Sequence, residues 1–226
     1  ISYYNQIEDN FFLTAAAIIA LPLAAFAGET RIGFSAALSN FDISGTETTK
    51  SSGQKNSKEH TEFTVVPGLF IERANDAGFT FGFEFVPGEA DLGSGSNART
   101  DTDTDDAADT AGTNKVGAEV SGHMTAYVLV PAQSGFVRFG LIQADVDTTE
   151  TLATGTKYGN ASVNGMIFGV GYDKENDNGS FLRVEGTYTN YDDLTLQGSL
   201  DSDNVRNKVD ADIDALALKL SVGKSF

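Results

Sequence analysis

Period-two alternation runs through the chain from residue 28 onward, the spacing at which successive strand side chains point to opposite faces. Ile32, Phe34, Ala36 and Leu38 share one face, and Arg31, Gly33, Ser35 and Ala37 the other. Phe63, Val65, Pro67, Leu69 and Ile71 alternate with Glu62, Thr64, Gly68 and Glu72. Phe79, Phe81, Phe83 and Phe85 alternate with Thr80, Gly82 and Glu84. From Val116 to Val130, Val120, Met124, Ala126, Val128 and Val130 oppose Glu119, Ser121, His123, Thr125 and Tyr127. Val137, Phe139 and Leu141 oppose Arg138 and Gly140; Met166, Phe168, Val170 and Tyr172 oppose Gly165, Gly169 and Gly171. Leu182, Val184 and Tyr188 oppose Arg183, Glu185 and Thr187. Leu216, Leu218, Leu220, Val222 and Phe226 oppose Ala217, Lys219, Ser221 and Gly223. The pattern predicts eight strands, each with one uniformly apolar face.

The connections alternate too. RANDAG, PAQSG and DKENDNG join the second strand to the third, the fourth to the fifth and the sixth to the seventh. These are tight turns of Asn, Asp, Gly and Pro. The other connections are longer and polar, at roughly residues 44–61, 88–115, 148–161 and 193–208. Short turns at one end, long loops at the other and an even strand count predict an all-β fold, a transmembrane antiparallel up-and-down β-barrel. Phe79, Phe136, Tyr172, Phe181 and Phe226 fall beside the short turns or the chain end, where interfacial aromatic girdles sit. Alternation alone also permits the inverse, a soluble barrel with the Phe side chains inside. The two ends of the sequence favour the membrane reading.

Residues 11–27, FFLTAAAIIALPLAAFA, form an apolar, small-residue run that ends in Ala25-Phe26-Ala27. That is the small-x-small pattern of signal-peptide cleavage. It predicts a signal peptide over 1–27, cut after Ala27, and a barrel over 28–226. The competing reading is a helical anchor, for which the run is short. The preceding segment departs from a usual signal: it carries Glu8 and Asp9 and no Lys or Arg.

At Leu216–Phe226, LALKLSVGKSF, the apolar phase Leu216, Leu218, Leu220, Val222 closes on a terminal Phe226. This resembles the assembly signal of bacterial outer-membrane barrels, and the family implied is the small eight-stranded OmpA/OmpX-like outer-membrane β-barrel. The resemblance implies residence in the outer membrane of a Gram-negative bacterium. It also implies handling by periplasmic chaperones and the barrel-assembly machinery, and a monomer in contact with outer-membrane lipid. It brings no active-site motif.

Composition narrows the rest. The chain has 32 acidic and 15 basic side chains, a net charge of -17, so nucleic acid would be repelled. Without cysteine there is no disulfide framework or thiolate metal site, and two histidines do not make a His-rich metal centre. No cofactor is expected. If the apolar phase meets lipid, the other phase lines the bore: Arg31, Arg138, Arg183 and Lys219 with Glu62, Glu72, Glu84, Glu119 and Glu185. An eight-stranded bore is just wide enough for side chains to fill it. Buried charges there must pair, so a lumen plugged by Arg–Glu pairs is expected. Glu84, Glu119 and Glu185 are the nearest candidate partners of Arg138 and Arg183, and the pairing is left open by the unknown shear. Ser121 and His123, two residues apart with Glu119 beyond, loosely outline a hydrolytic set; polar filling of the lumen is the plainer reading, and no enzyme is expected. Asp101, Asp103 and Asp105 in DTDTDDAAD are weak candidates for a divalent cation, against a solvated, self-repelling loop. The expected role is a structural or surface barrel, plugged or at most a minor passive pore. The alternatives are a surface-loop adhesin or cation-binding protein and, third, a lipid-modifying enzyme.

Overall fold

Alternation becomes strand in ten segments: β1 (Gly28–Thr48), β2 (Lys55–Asn75), β3 (Thr80–Phe85), β4 (Ala90–Asp101), β5 (Thr110–Ala132), β6 (Gly135–Thr151), β7 (Ala161–Glu175), β8 (Ser180–Tyr191), β9 (Leu194–Gln197) and β10 (Lys208–Ser225). The computed structural model describes residues 28–48, 53, 55–101, 110–151, 157–198 and 207–226. The predicted signal segment, with Ala25 and Ala27, lies outside the described residues. β3 and β4 are one barrel strand interrupted by Val86-Pro87-Gly88-Glu89, and β8 and β9 are one strand interrupted by Asp192-Asp193. Eight antiparallel barrel strands result, in sequence order, and β1 pairs with β10 from Arg31↔Ser225 to Thr48↔Lys208 to close the ring.

The short turns fall where the sequence puts them. In the first, Asn75 Oδ1 accepts from the backbone N–H of Ala77 at 3.1 Å and of Phe79 at 3.0 Å, and Gly78 takes a φ of 86°. The long polar connections are a different matter. Much of 44–61 and 88–115 is strand, because β1, β2, β4 and β5 continue outward as hairpins, while 148–161 and 193–208 hold strand only at 148–151, 161, 194–197 and 208 among the described residues. The barrel therefore stands well above the membrane.

The outer face marks the membrane level. On β10, Leu216, Leu218, Leu220 and Val222 are all more than half exposed, bracketed by Asp214 and Lys224. Those two charges are ten residues apart, about 34 Å along a strand at ~3.4 Å per residue, or about 25 Å once a barrel tilt of about 40° is applied. Ile32, Phe34 and Leu38, then Met166, Phe168 and Val170, continue the belt round the wall. Above it the outer face turns polar and acidic at Asn40, Asp42, Asp145, Asn190, Asp212 and Asp214. There Asp193 is hydrogen-bonded to Asp212, which raises its carboxyl above the ordinary value, while Lys208 holds Asp210 below it. The carboxy-terminal Phe226 is exposed to lipid, and its backbone closes onto Thr30. Lys224, in the lipid phase, turns down to the short-turn side and donates to the Asn178 carbonyl at 2.7 Å. Of the expected girdle, Phe79, Tyr172 and Phe226 are exposed, but Phe136 and Phe181 are buried inside. Both stand in the inner phase of their strands. Their rings cover Gly171 and Gly223 directly across the ladder, as Phe70 covers Gly33 and Tyr127 covers Gly82.

β5 holds the one departure that moves predicted residues. Its register against β6 shifts between Ser121 and Met124, where Gly122 has φ 57°. This β-bulge reverses the phase beyond it. Val120 is therefore buried inside, and Glu119 stands opposite Asp147, off the charged bore. A β-carbon on Gly122 would also come within 2.8 Å of Asp145 Oδ2. Gly122→Val is expected to cost about 1–2 kcal/mol, the penalty of a left-handed conformation for an L side chain. Gly186→Val should cost little, since a β-carbon there meets nothing within 4 Å. Urea midpoints of the two variants in lipid vesicles check the difference.

Candidate functional site

The inner face is layered along the barrel axis. Nearest the short turns lies a charged layer: Glu72 on β2, Glu84 on β3, Arg138 on β6, Arg183 and Glu185 on β8, and Lys219 on β10, all buried. The layer holds three cations and three carboxylates. Arg183 grips Glu72 as a fork, Nη1 to Oε1 at 2.5 Å and Nη2 to Oε2 at 2.9 Å, and Nη2 also donates to Asp173 at 3.2 Å. The Tyr127 hydroxyl donates to Glu72 Oε1 at 2.6 Å. Arg138 pairs with Glu185 through Nε and reaches Glu84 Oε2 with Nη1 at 3.3 Å. Lys219 Nζ donates to the same Glu84 oxygen at 2.6 Å, and Ser35 donates to the other at 2.6 Å.

Arg183–Glu72, Arg138–Glu84, Arg138–Glu185 and Lys219–Glu84 each join strands that are not ladder neighbours. They cross the bore instead of running along its wall. Aromatic rings pack the guanidinium groups. Arg138 lies 3.7 Å from the Tyr127 ring centroid, and Arg183 lies 5.6, 5.2 and 5.4 Å from those of Phe70, Phe136 and Phe181. Rings supply attraction to a cation without a competing charge. The guanidinium fork matches a carboxylate's two oxygens. Together they make a neutral, filled layer in a medium where an unmatched charge would be costly. At the rim below, Arg31 donates to Asp173 at 3.0 Å and to Glu175 at 2.9 Å.

Above the charged layer come buried neutral hydroxyls, Ser39, Thr187 and Thr189, with His123 beside them. His123 Nε2 lies 3.1 Å from the Tyr191 hydroxyl. Ser121 is directed elsewhere, donating to Asp147 at 2.8 Å. The bulge thus separates the two members of the loosely outlined hydrolytic set. Higher still the interior is apolar: Phe41, Leu92, Val120, Ile142, Ala144, Val146, Val163, Ile167, Leu194 and Ile213 form one buried cluster.

Of the nine residues expected in the charge network, the structure brings together Glu72, Glu84, Arg138, Arg183, Glu185 and Lys219, and sets Arg31 at its rim through Asp173. Two are placed elsewhere. Glu119 is turned off the bore by the bulge. Glu62 sits on the inner phase of β2 but too far outward, where it meets His60 at 3.2 Å. The partner of Arg183 is Glu72, outside the three carboxylates singled out for the arginines, because the shear carries β2 to the level of β8. Tyr127 and Asp173 were missed as members. Tyr127 shares its phase with Thr125, and that lumen-phase position was the available signal. Asp103 and Asp105 lie outside the described residues, and Asp101 ends β4. Among the described residues no three His, Cys, Asp or Glu side chains gather as a metal site.

No family model and no curated protein matches the chain. Solved structures do. The outer membrane protein OprG from Pseudomonas aeruginosa is 14% identical, with a TM-score of 0.51 over 89% of this chain and 97% of that one. The outer membrane protein AlkL is 11% identical, with a TM-score of 0.49 over 89% and 91%. Neisserial surface protein A is 12% identical, with a TM-score of 0.41 over 88% and 100%. At such identities the likeness is one of fold. With the closed antiparallel ring and the lipid-level apolar belt on its outer face, the chain has the fold of the small eight-stranded outer-membrane β-barrels.

Proposed function

We propose that this barrel serves a structural or surface role in the outer membrane and does not conduct, because its bore is closed by the charged layer. The observation that carries the reading is the set of four ion pairs crossing between strands that are not neighbours. Side chains that reach across the bore occupy the path an ion would take, and each is paired with a partner of opposite charge. An ion entering the layer would have to break a buried pair and leave a carboxylate or a guanidinium unmatched, a cost of several kcal/mol. The pairing of Arg183 also holds it against three rings, so it cannot swing aside without leaving them.

Planar-bilayer recording on the refolded barrel tests this. The wild type should give no steady single-channel current. Replacing both Arg138 and Arg183 by Ala removes two of the three cations of the layer and leaves its three carboxylates, so the variant should conduct with a preference for cations. Large, steady currents through the unmodified protein would overturn the closed-bore reading and make the chain a pore.

A further inference from the structure

The end of the barrel away from the short turns holds a cavity of about 250 Å³, above the membrane level, that the closed-bore reading does not use. Strands from around the wall bound it, with Ile43 from β1, Leu92 from β4, Ala118 from β5, Val146 from β6, Leu194 from β9 and Ile213 from β10. Leu92, Val146, Leu194 and Ile213 are buried and belong to the apolar cluster that continues beneath as the floor. Backbone pairing of β2 with its neighbour stops at Leu69↔Phe85, so nothing ties β2 to β4 by a ladder. Side chains complete the wall there: His60 lies over Gly93, and Lys58 lies over Gly95, where a β-carbon would come within 2.8 Å of Nζ. The space is a chamber closed round its sides, not a groove along a surface.

The polar groups round this chamber are engaged with one another. The Tyr158 hydroxyl donates to Glu47 Oε1 at 2.9 Å, the Thr148 hydroxyl donates to the Tyr158 carbonyl at 2.9 Å, and His60 Nε2 lies 3.2 Å from Glu62 Oε2. Among the described residues, no lining side chain has a buried polar atom left without a hydrogen-bond partner. Charge at the rim is of both signs. Lys58, which is exposed, stands opposite Gly45 on the ladder, and Glu47 follows two residues on in the same inner phase. With Glu47 and Glu62 beside one lysine, the rim offers no net attraction to an anion. Water inside finds few partners among aliphatic walls, and an apolar guest that displaces poorly held water gains affinity.

Size narrows the guest. An apolar cavity of about 150 Å³ admits benzene, so in proportion this chamber takes about ten non-hydrogen atoms. We propose that the chamber binds an uncharged, compact alicyclic molecule of about ten carbons, seated against Leu92, Leu194 and Ile213. An ion would give up its hydration for apolar walls and for carboxylates already engaged by Tyr158 and His60. A flexible chain with the same number of carbons would have to coil to fit, and would lose the freedom that a rigid cage has already given up.

The test uses the refolded chain in lipid nanodiscs, with adamantan-1-ol, the 1-adamantylammonium ion at neutral pH and 1-decanol as probes. Carbon-labelled methyl signals of Leu92, Leu194 and Ile213 report occupancy, so a shift that saturates gives an affinity separate from partition into the bilayer. Adamantan-1-ol should shift these methyls to saturation, and bind about tenfold more tightly than the ammonium ion or decanol. Ala211→Phe and Ala118→Phe each put a ring into the chamber and should abolish the saturable shift. The Leu218 methyls, out in the belt, should keep their positions and show that the barrel is intact. Equal affinity for the ammonium ion would overturn the selection of an uncharged guest, and equal affinity for decanol the selection of a compact one. Methyl shifts that never saturate, or that still saturate in both filled variants, would overturn the site itself. The chamber stands above the charged layer, so that failure would leave the closed bore untouched.

Discussion

Arg183→Met is expected to lower the unfolding free energy of the barrel by about 3–5 kcal/mol, the cost of removing one partner from a buried ion pair. Met keeps an unbranched apolar stem out to the level of Nε, so the cavity left beside Phe70, Phe136 and Phe181 is only that of the guanidinium. What goes is the charge. Glu72, with no exposed surface, then keeps only the Tyr127 hydroxyl as a hydrogen-bond donor among the described residues. Adding Glu72→Gln to the same chain should recover most of the loss, because a buried pair replaced as a pair costs little. The coupling between the two positions is read from the double-mutant cycle, with urea unfolding in lipid vesicles as the measurement. A single-variant cost below about 1 kcal/mol, the range of an exposed ion pair, would mean that water reaches Glu72. The bore would then be open, against the closed-layer reading as well.

The membrane-spanning strands were legible because lipid imposes one rule on one face. Leu216 to Val222 and Ile32 to Leu38 read as apolar at every second position, and both lie in the belt. The extramembrane hairpins were not, because the rule reverses there. On β1 the apolar set moves from Phe34, Ala36 and Leu38 to Phe41 and Ile43, while its pairing to β2 and β10 runs on unbroken. On β10 it moves from Leu216 to Ile213, and on β7 from Met166 to Val163. A one-residue slip in the apolar phase without a bulge is the signature of a strand leaving the membrane. Read as a loss of pattern it looks like a loop, and residues 44–61 were expected to be one for that reason.

Membership of the charged layer was legible by the same rule, and its wiring was not. A lumen-phase charge within the belt had to be buried, so Arg138, Arg183, Glu84 and Glu185 followed from phase alone. Which carboxylate meets which guanidinium depends on how far each strand is staggered, and stagger leaves no mark in a single strand's alternation. Hence Glu72 was one of several acids instead of the fork partner of Arg183. Glu119 failed for a different reason. A bulge at Ser121–Met124 inserts one residue, and only Gly122 hints at it. Every position beyond takes the opposite face, so the same rule that placed Arg138 correctly placed Glu119 wrongly.

Leu218→Arg is expected to destabilise the barrel by about 2–4 kcal/mol, the cost of a basic side chain at the bilayer midplane of a transmembrane barrel. Leu218 lies near the middle of the span from Asp214 to Lys224, is more than half exposed, and stands opposite Leu38 on β1 and Gly186 on β8. Among the described residues no carboxylate is within the belt on that face to receive the guanidinium, and hydrocarbon offers no hydrogen bond in its place. Thr61→Arg is the comparison. Thr61 is also exposed on the outer face, but it lies at the level where that face turns acidic, and it donates to Asp42 at 2.9 Å. There an arginine should cost about 0–1 kcal/mol, as interfacial basic residues do. Urea unfolding in vesicles gives both numbers, and a spin label at each position gives the environment independently: dissolved oxygen should relax the label at 218, and a water-soluble nickel chelate the one at 61. Equal costs at the two sites, or a label at 218 that the chelate reaches, would place the Leu218 face in water. The apolar residues would then be the core of an inverted barrel or an interface with another protein, and the belt would not be the surface that holds this chain in the membrane.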